Sequence, residues 1–217
     1  MQTTSSNPQA AREVADLFAV FSLPRKLNLD LAALEKDFYR QSRKLHPDLF
    51  VRHPVAEQQQ ALEQSSRLND AYRTLKDPIA RTEHLLELEG VGLEEQSKAA
   101  TEAARAAGTE KKQVVPPELL EEVFELNMQL QEMKMSKQMG EADADTVRSL
   151  EGARQNFEGR MEGLSAELKE MWDEWDALVA SNAGEHERNA VRDKMVALLN
   201  RRSYIRNLVR DVNAALA

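Results

Sequence analysis

From Val147 to Leu178, apolar residues recur mostly every third or fourth position: Val147, Leu150, Phe157, Met161, Leu164, Leu168, Met171, Trp175 and Leu178. Arg154 interrupts the series. Such spacing draws one stripe along a helix and does not fit the alternation of a strand. It predicts one long helix, from about Ala142 to Ala180, that neighbouring helices must cover. The sequence supplies two of them. Glu118 to Met139 reads as a helix stopped by Gly140, and after the break at "SNAGE" a last helix carries Val191, Met195, Leu198, Ile205, Val209, Val212 and Leu216. Residues 118–217 are therefore expected to form a small antiparallel three-helix bundle.

Composition points the same way. Aromatic residues are 5% of the 217, glycines number 8 and charged residues reach 30%. That balance favours helices packed through Leu, Met and Ala over a sheet of β-branched and aromatic residues, so the fold class is all-α. There is no cysteine, which excludes disulfides, thiol catalysis, zinc fingers and cysteine-held iron–sulfur clusters. His46, His53, His84 and His186 lie far apart in the sequence, so no metal site is expected, nor any cofactor. With a net charge of −8, nucleic acid is not an expected partner. No apolar run approaches the roughly 18 residues of a membrane helix, and residues 1–12 lack the apolar core of a secretory signal. A soluble, intracellular protein with a disordered tail at 1–12 is expected. Phosphate loops, nucleophile elbows, metalloprotease helices and deaminase signatures are all missing, so an enzyme is not expected.

The two halves are separated by a polar, Ala-rich connection, 93–117, that closes on Pro116-Pro117. The N-terminal half, 13–92, reads as four helices. A short one runs through "DLFAVFSLP". The next starts after Asp30 and runs to Leu45, with Leu31, Leu34, Phe38 and Leu45 on one side and Lys36, Arg40, Arg43 and Lys44 opposite. A third covers about Val55 to Leu75, with Ala61, Ser65, Leu68, Tyr72 and Leu75 on one face. A fourth begins at Asp77-Pro78 and ends at Gly90. The second and third are expected to pair as an antiparallel hairpin.

His46-Pro47-Asp48 falls at the tip of that hairpin. Pro47 ends the helix and fixes the turn, which projects His46 and Asp48 from a rigid corner. Read alone, the tripeptide is an ordinary helix stop beside solvated lysines and arginines. With "LFAVFSLP", "YRQSRKLHPDLF" and "LNDAYRTLKDP" in this order, the half resembles the J-domain, the module through which co-chaperones engage DnaK-type ATPase chaperones. The resemblance implies that His46, Pro47 and Asp48 contact the chaperone. Lys36, Arg40, Arg43 and Lys44 are then a positive stripe that steers onto an acidic partner surface. Leu49 stands where many J-domains have lysine.

On the helix from Glu118, Leu119, Val123, Leu126, Leu130 and Met133 make one apolar stripe, enough to pack a bundle. A second stripe, Leu120, Phe124, Met128 and Met135, lies on a neighbouring face, bordered by Glu121, Glu125 and Glu132. Either the second stripe is a partner surface, or the core face is wide and two helices wrap it; a helical wheel does not separate these. "HLLELEG", "EEVFELNMQLQE" and the order of domains resemble the HscB family. That resemblance implies a co-chaperone that brings an IscU-type iron–sulfur scaffold protein to a DnaK/HscA-type chaperone. Scaffold-facing residues would be Leu120, Phe124, Glu125, Met128 and Glu132, joined by Tyr204, which is off the core stripe of the last helix and expected to be exposed. Glu121 and Met128 differ in character from many members. The connection looks longer than usual, and a cysteine-bearing N-terminal extension is lacking, which favours a bacterial, cytoplasmic protein over a mitochondrial one. The alternatives are a J-domain co-chaperone with another client, or a purely structural helical protein.

Overall fold

A computed structural model of the chain describes residues 14–91, 115–140 and 143–217, which belong to two compact units, 14–91 and 115–217. The expected tail at 1–12, and the connection at 93–117 up to residue 114, lie outside the described residues. All regular structure among the described residues is helical.

In the first unit, α1 is Leu17–Val20, α2 Leu31–Lys44, α3 Val55–Lys76 and α4 Pro78–Leu88, with a 3₁₀ turn at Pro47–Leu49 between α2 and α3. Local chemistry sets the starts. Asp16, Asp30 and Asp77 each accept backbone N–H groups of the first turn of α1, α2 and α4, satisfying donors that have no partner within the helix. Gly90 takes φ +79°, which ends α4 in the left-handed region.

α2 and α3 pack as the hairpin. The ring of Phe38 stacks on Tyr72 with centroids 4.2 Å apart, the Tyr72 hydroxyl donates to Glu35 Oε1 at 3.1 Å, and Lys76 Nζ lies 3.9 Å from the same oxygen. Residues 35 and 38 thus meet 76 and 72, an antiparallel register. The core gathers Phe18, Leu27, Leu34, Leu68, Leu75 and Leu85. Leu31, expected on the packed stripe, is instead exposed. It lies one turn before Glu35, which already meets the last residue of α3, so no helix remains beside it. Ala71 is buried although the wheel did not single it out. A long-range tie closes the unit: the Leu17 N–H donates to His84 Nε2 at 3.1 Å, and Phe18 stacks on the same imidazole.

The second unit has α5 at Leu120–Met139, preceded by a 3₁₀ turn at Pro117–Leu119, then α6 at Ala144–Ala180 and α7 at Glu185–Leu216. Asp143 caps α6 through the Thr146 N–H and hydroxyl, and Gly140 at φ +95° ends α5. α7 packs chiefly along α6, and α5 touches both. Leu150, Phe157, Leu164, Leu168 and Trp175 are buried as the series predicts, while Val147, Met161, Met171 and Leu178 are only half-buried. Trp172, outside the series, is buried. A single-seam pattern assumes one partner, whereas α6 is covered by two. Arg154, which breaks the series, reaches from α6 to α7, its Nη1 3.4 Å from Asn213 Oδ1.

Candidate functional site

At the hairpin tip, the Leu45 N–H donates to the Gln41 carbonyl at 3.1 Å and α2 stops. His46 then caps the 3₁₀ turn: its Nδ1 accepts the Asp48 N–H at 3.3 Å. The Asp48 carboxylate lies 3.5 Å from the same nitrogen. The two contacts exclude each other, because Nδ1 accepts an amide when it holds a lone pair and pairs with a carboxylate when it holds a proton. His46, Pro47 and Asp48 are all exposed, so neither contact removes the site from solvent.

The next residues hold this corner from behind. Gln58 Nε2 donates to the carbonyls of His53 at 2.8 Å and Val51 at 3.4 Å, and His53 Nδ1 is 2.8 Å from Glu57 Oε2. Sequence reasoning passed over Gln58; its only signal was an amide in the first turn of α3. Leu49, Val51 and Val55 are exposed beside the turn, an apolar edge that the wheel did not report.

Lys36, Arg40, Arg43 and Lys44 are all exposed on α2. They are not equivalent. Arg40 Nη2 is 2.9 Å from Asp37 Oδ1, which offsets its charge. Among the described residues, no ion pair engages Lys36, Arg43 or Lys44. Tyr39, exposed at the edge of the cationic face, was also missed; an aromatic away from the apolar stripe was the available sign.

On α5 the two stripes part company. Leu119, Val123, Leu126 and Met133 are buried, and Leu130 is half-buried. Leu120, Phe124, Met128 and Met135 are exposed, at 55, 67, 57 and 58%. The wide-core alternative therefore fails. Met139 continues the exposed face for another turn, and Glu121, Glu125 and Glu132 border it in solvent. Glu122 is different, turned toward α6 and paired with Arg160.

Tyr204 corrects the expectation of exposure: it is 8% exposed, and burial pushes its phenol above the usual value. The reason lies one turn earlier. Arg201 is 2.6 Å from Glu167 of α6 and 3.6 Å from Glu118 in the 3₁₀ turn that leads into α5, so α7 meets both neighbours here. Two partners widen the buried arc, and Tyr204 and Leu208 fall inside it. No group of three or more His, Asp or Glu among the described residues is placed to hold a metal, and no helix there is long and apolar enough to cross a membrane.

No family model matches the chain. It is similar to curated relatives described as co-chaperone protein HscB homologs. For that of Azoarcus sp. the identity is 31% over 144 residues, 59% of this chain and 76% of the relative. For Aromatoleum aromaticum it is 40% over 76 residues, 35% of this chain and 43% of the relative. For Bordetella petrii it is 37% over 89 residues, 41% and 52%. Two of these three matches thus span about half of the relative's length or less. Among solved structures, the chaperone HscB from Vibrio cholerae aligns with a TM-score of 0.54 at 25% identity, covering 94% of this chain and 100% of that one. Human co-chaperone protein HscB aligns with the same score at 19% identity, covering 99% and 91%, a likeness of fold alone.

Proposed function

The chain belongs to the HscB co-chaperone family, a J-domain followed by a three-helix bundle, and on that premise we propose that it stimulates a DnaK/HscA-type ATPase chaperone and delivers an IscU-type iron–sulfur scaffold protein to it. The observation that carries the reading is the separation of two exposed surfaces onto two units. The first unit offers His46, Pro47 and Asp48 on a capped turn beside the cations Lys36, Arg40, Arg43 and Lys44. The second offers Leu120, Phe124 and Met128 with Glu125 and Glu132 at their edge, an apolar face that the bundle does not use. Tyr204 is left out of the scaffold surface because it is buried.

Each surface suits its task. A rigid, exposed corner presents hydrogen-bonding groups without the cost of ordering them on contact. Exposed cations raise the encounter rate with an acidic surface. An apolar face rimmed by carboxylates suits a client with an apolar patch and basic surroundings. In this reading the protein does no covalent chemistry; ATP is hydrolysed by its partner, and the iron–sulfur cluster is the scaffold's cargo. The same reading puts it in a bacterial cytoplasm.

The test is single-turnover ATP hydrolysis by a DnaK/HscA-type chaperone, with and without an IscU-type scaffold. Wild-type protein should accelerate hydrolysis, and more so with the scaffold. His46→Gln should abolish both effects while circular dichroism and melting stay unchanged, since the residue is exposed. Full stimulation by the variant would remove the turn from the mechanism.

A further inference from the structure

We propose that Met128, Met135 and Met139 form a reversible oxidation site that switches off the partner surface of α5. What the switch controls rests on the scaffold reading above; where oxidation strikes rests on geometry. The chain has 8 methionines and no cysteine, so thioethers are the only sulfur it offers an oxidant. Among the described residues, Met133 and Met195 are buried at 1 and 0% exposure, and Met161 and Met171 are half-buried. The exposed methionines among the described residues are Met128, Met135 and Met139, at 57, 58 and 78%. All three lie on α5, and their sequence spacing keeps them within an arc of about 40° around its axis. Leu120 and Phe124 continue that face toward the start of the helix.

A thioether serves a partner surface because it is apolar, flexible and polarisable. It is also an apolar side chain that an oxidant turns polar. A sulfur lone pair attacks one oxygen of hydrogen peroxide, the O–O bond breaks and the sulfoxide forms. The departing hydroxide takes up the proton released from the transferred oxygen and leaves as water; sulfur loses two electrons and the peroxide gains them. Reversal needs a dithiol reductase of the methionine sulfoxide class: the dithiol supplies two electrons and two protons, the oxygen leaves as water and a disulfide remains on the reductase.

The consequence follows from where the groups sit. On the free protein a sulfoxide at these positions meets water and leaves the bundle core untouched. Pressed against an apolar partner, it would bury a strong acceptor with no donor. Met133, two residues before Met135 but on the opposite, core-facing side of α5, is shielded from the same reagent. Oxidation should therefore cost the surface and spare the fold.

The test treats the full chain with hydrogen peroxide and maps sulfoxides by peptide mass spectrometry. Met128, Met135 and Met139 should oxidise well before Met133 and Met195, with circular dichroism and melting unchanged. Binding of the oxidised protein to an IscU-type scaffold should weaken by roughly tenfold or more, and a methionine sulfoxide reductase should restore it. The triple variant Met128→Leu, Met135→Leu, Met139→Leu, compared with itself before and after peroxide, should lose no further affinity for the scaffold on treatment. Early oxidation of Met133, undiminished binding by the oxidised protein, or equal loss in the triple variant overturns the proposal. If reduced wild-type protein does not bind the scaffold, the scaffold reading fails and takes the switch with it; the order of oxidation still tests the site itself.

Discussion

Val123 and Phe124 are adjacent in the chain, yet Val123 is 7% exposed and Phe124 67%. One residue on an α-helix turns the side chain by about 100°, enough here to pass from core to solvent. Truncating Phe124 should therefore leave the fold intact, while truncating its core neighbour Leu126 should lower stability by about 2–5 kcal/mol. If Phe124 anchors the scaffold, Phe124→Ala should cost about 2 kcal/mol or more of binding, measured by calorimetry at a temperature where both variants are folded. A drop in melting temperature for Phe124→Ala like that of Leu126→Ala would make this stripe part of the core.

Arg43 and Arg40 share the cationic face of α2, but Asp37 offsets only Arg40. Removing an unpaired exposed charge slows encounter more than removing one already paired. Arg43→Ala should slow association with the chaperone by roughly threefold to tenfold at low salt, and Arg40→Ala by less. Both differences should fade in stopped-flow measurements near about 1 M salt, where the Debye length is about 3 Å. A defect that ignores salt would mean a desolvated contact at Arg43 instead of steering.

Tyr204 carries the opposite expectation from Phe124. It is buried where α7 meets α6 and α5, so Tyr204→Ala should destabilise the second unit by on the order of 3 kcal/mol. Thermal denaturation followed by Trp172 and Trp175, both inside this unit, reads that loss directly. Scaffold binding by the fraction still folded should be unchanged. Lost binding with an unshifted melt would return Tyr204 to the surface.

His84 makes the first unit sensitive to pH. Burial holds its imidazole below the ordinary value of 6.5, against the pull of Glu87 and Asp16, with Arg25 adding to the lowering. Between the lowered value and 6.5, the unfolded chain binds a proton that the folded one excludes. Stability is thus full above about pH 6.5 and falls as the pH drops below it. A proton on Nε2 would also displace the Leu17 N–H donated there at 3.1 Å. Far-UV circular dichroism should show the first unit melting earlier as the pH is lowered. His84→Gln, whose amide oxygen can still accept the Leu17 N–H, should flatten that dependence. An identical pH profile for the variant would show that another group is responsible.

Features of this protein that depend on residues a few positions apart are legible in its sequence. Asp30, Asp77 and Gly140 mark helix ends because capping is a local hydrogen-bonding problem. The His46 turn is equally local: Pro47 stops α2, and the cap bond spans two residues. The amphipathic period of α5 is readable too, including the presence of two apolar stripes. Which stripe faces a neighbour is not, because a wheel gives angles about one axis and says nothing of where the other helices lie. The burial of Trp172 and Tyr204, and the exposure of Leu31, follow from the number and reach of neighbouring helices. Leu17 with His84, and Arg154 with Asn213, are bonded across 67 and 59 positions, separations at which no periodicity is informative. Helices, caps and the turn could be read from the order of residues, since these are fixed by neighbours along the chain. Tertiary structure alone decided which apolar face of α5 stays in water, because α6 and α7 together cover only one of the two.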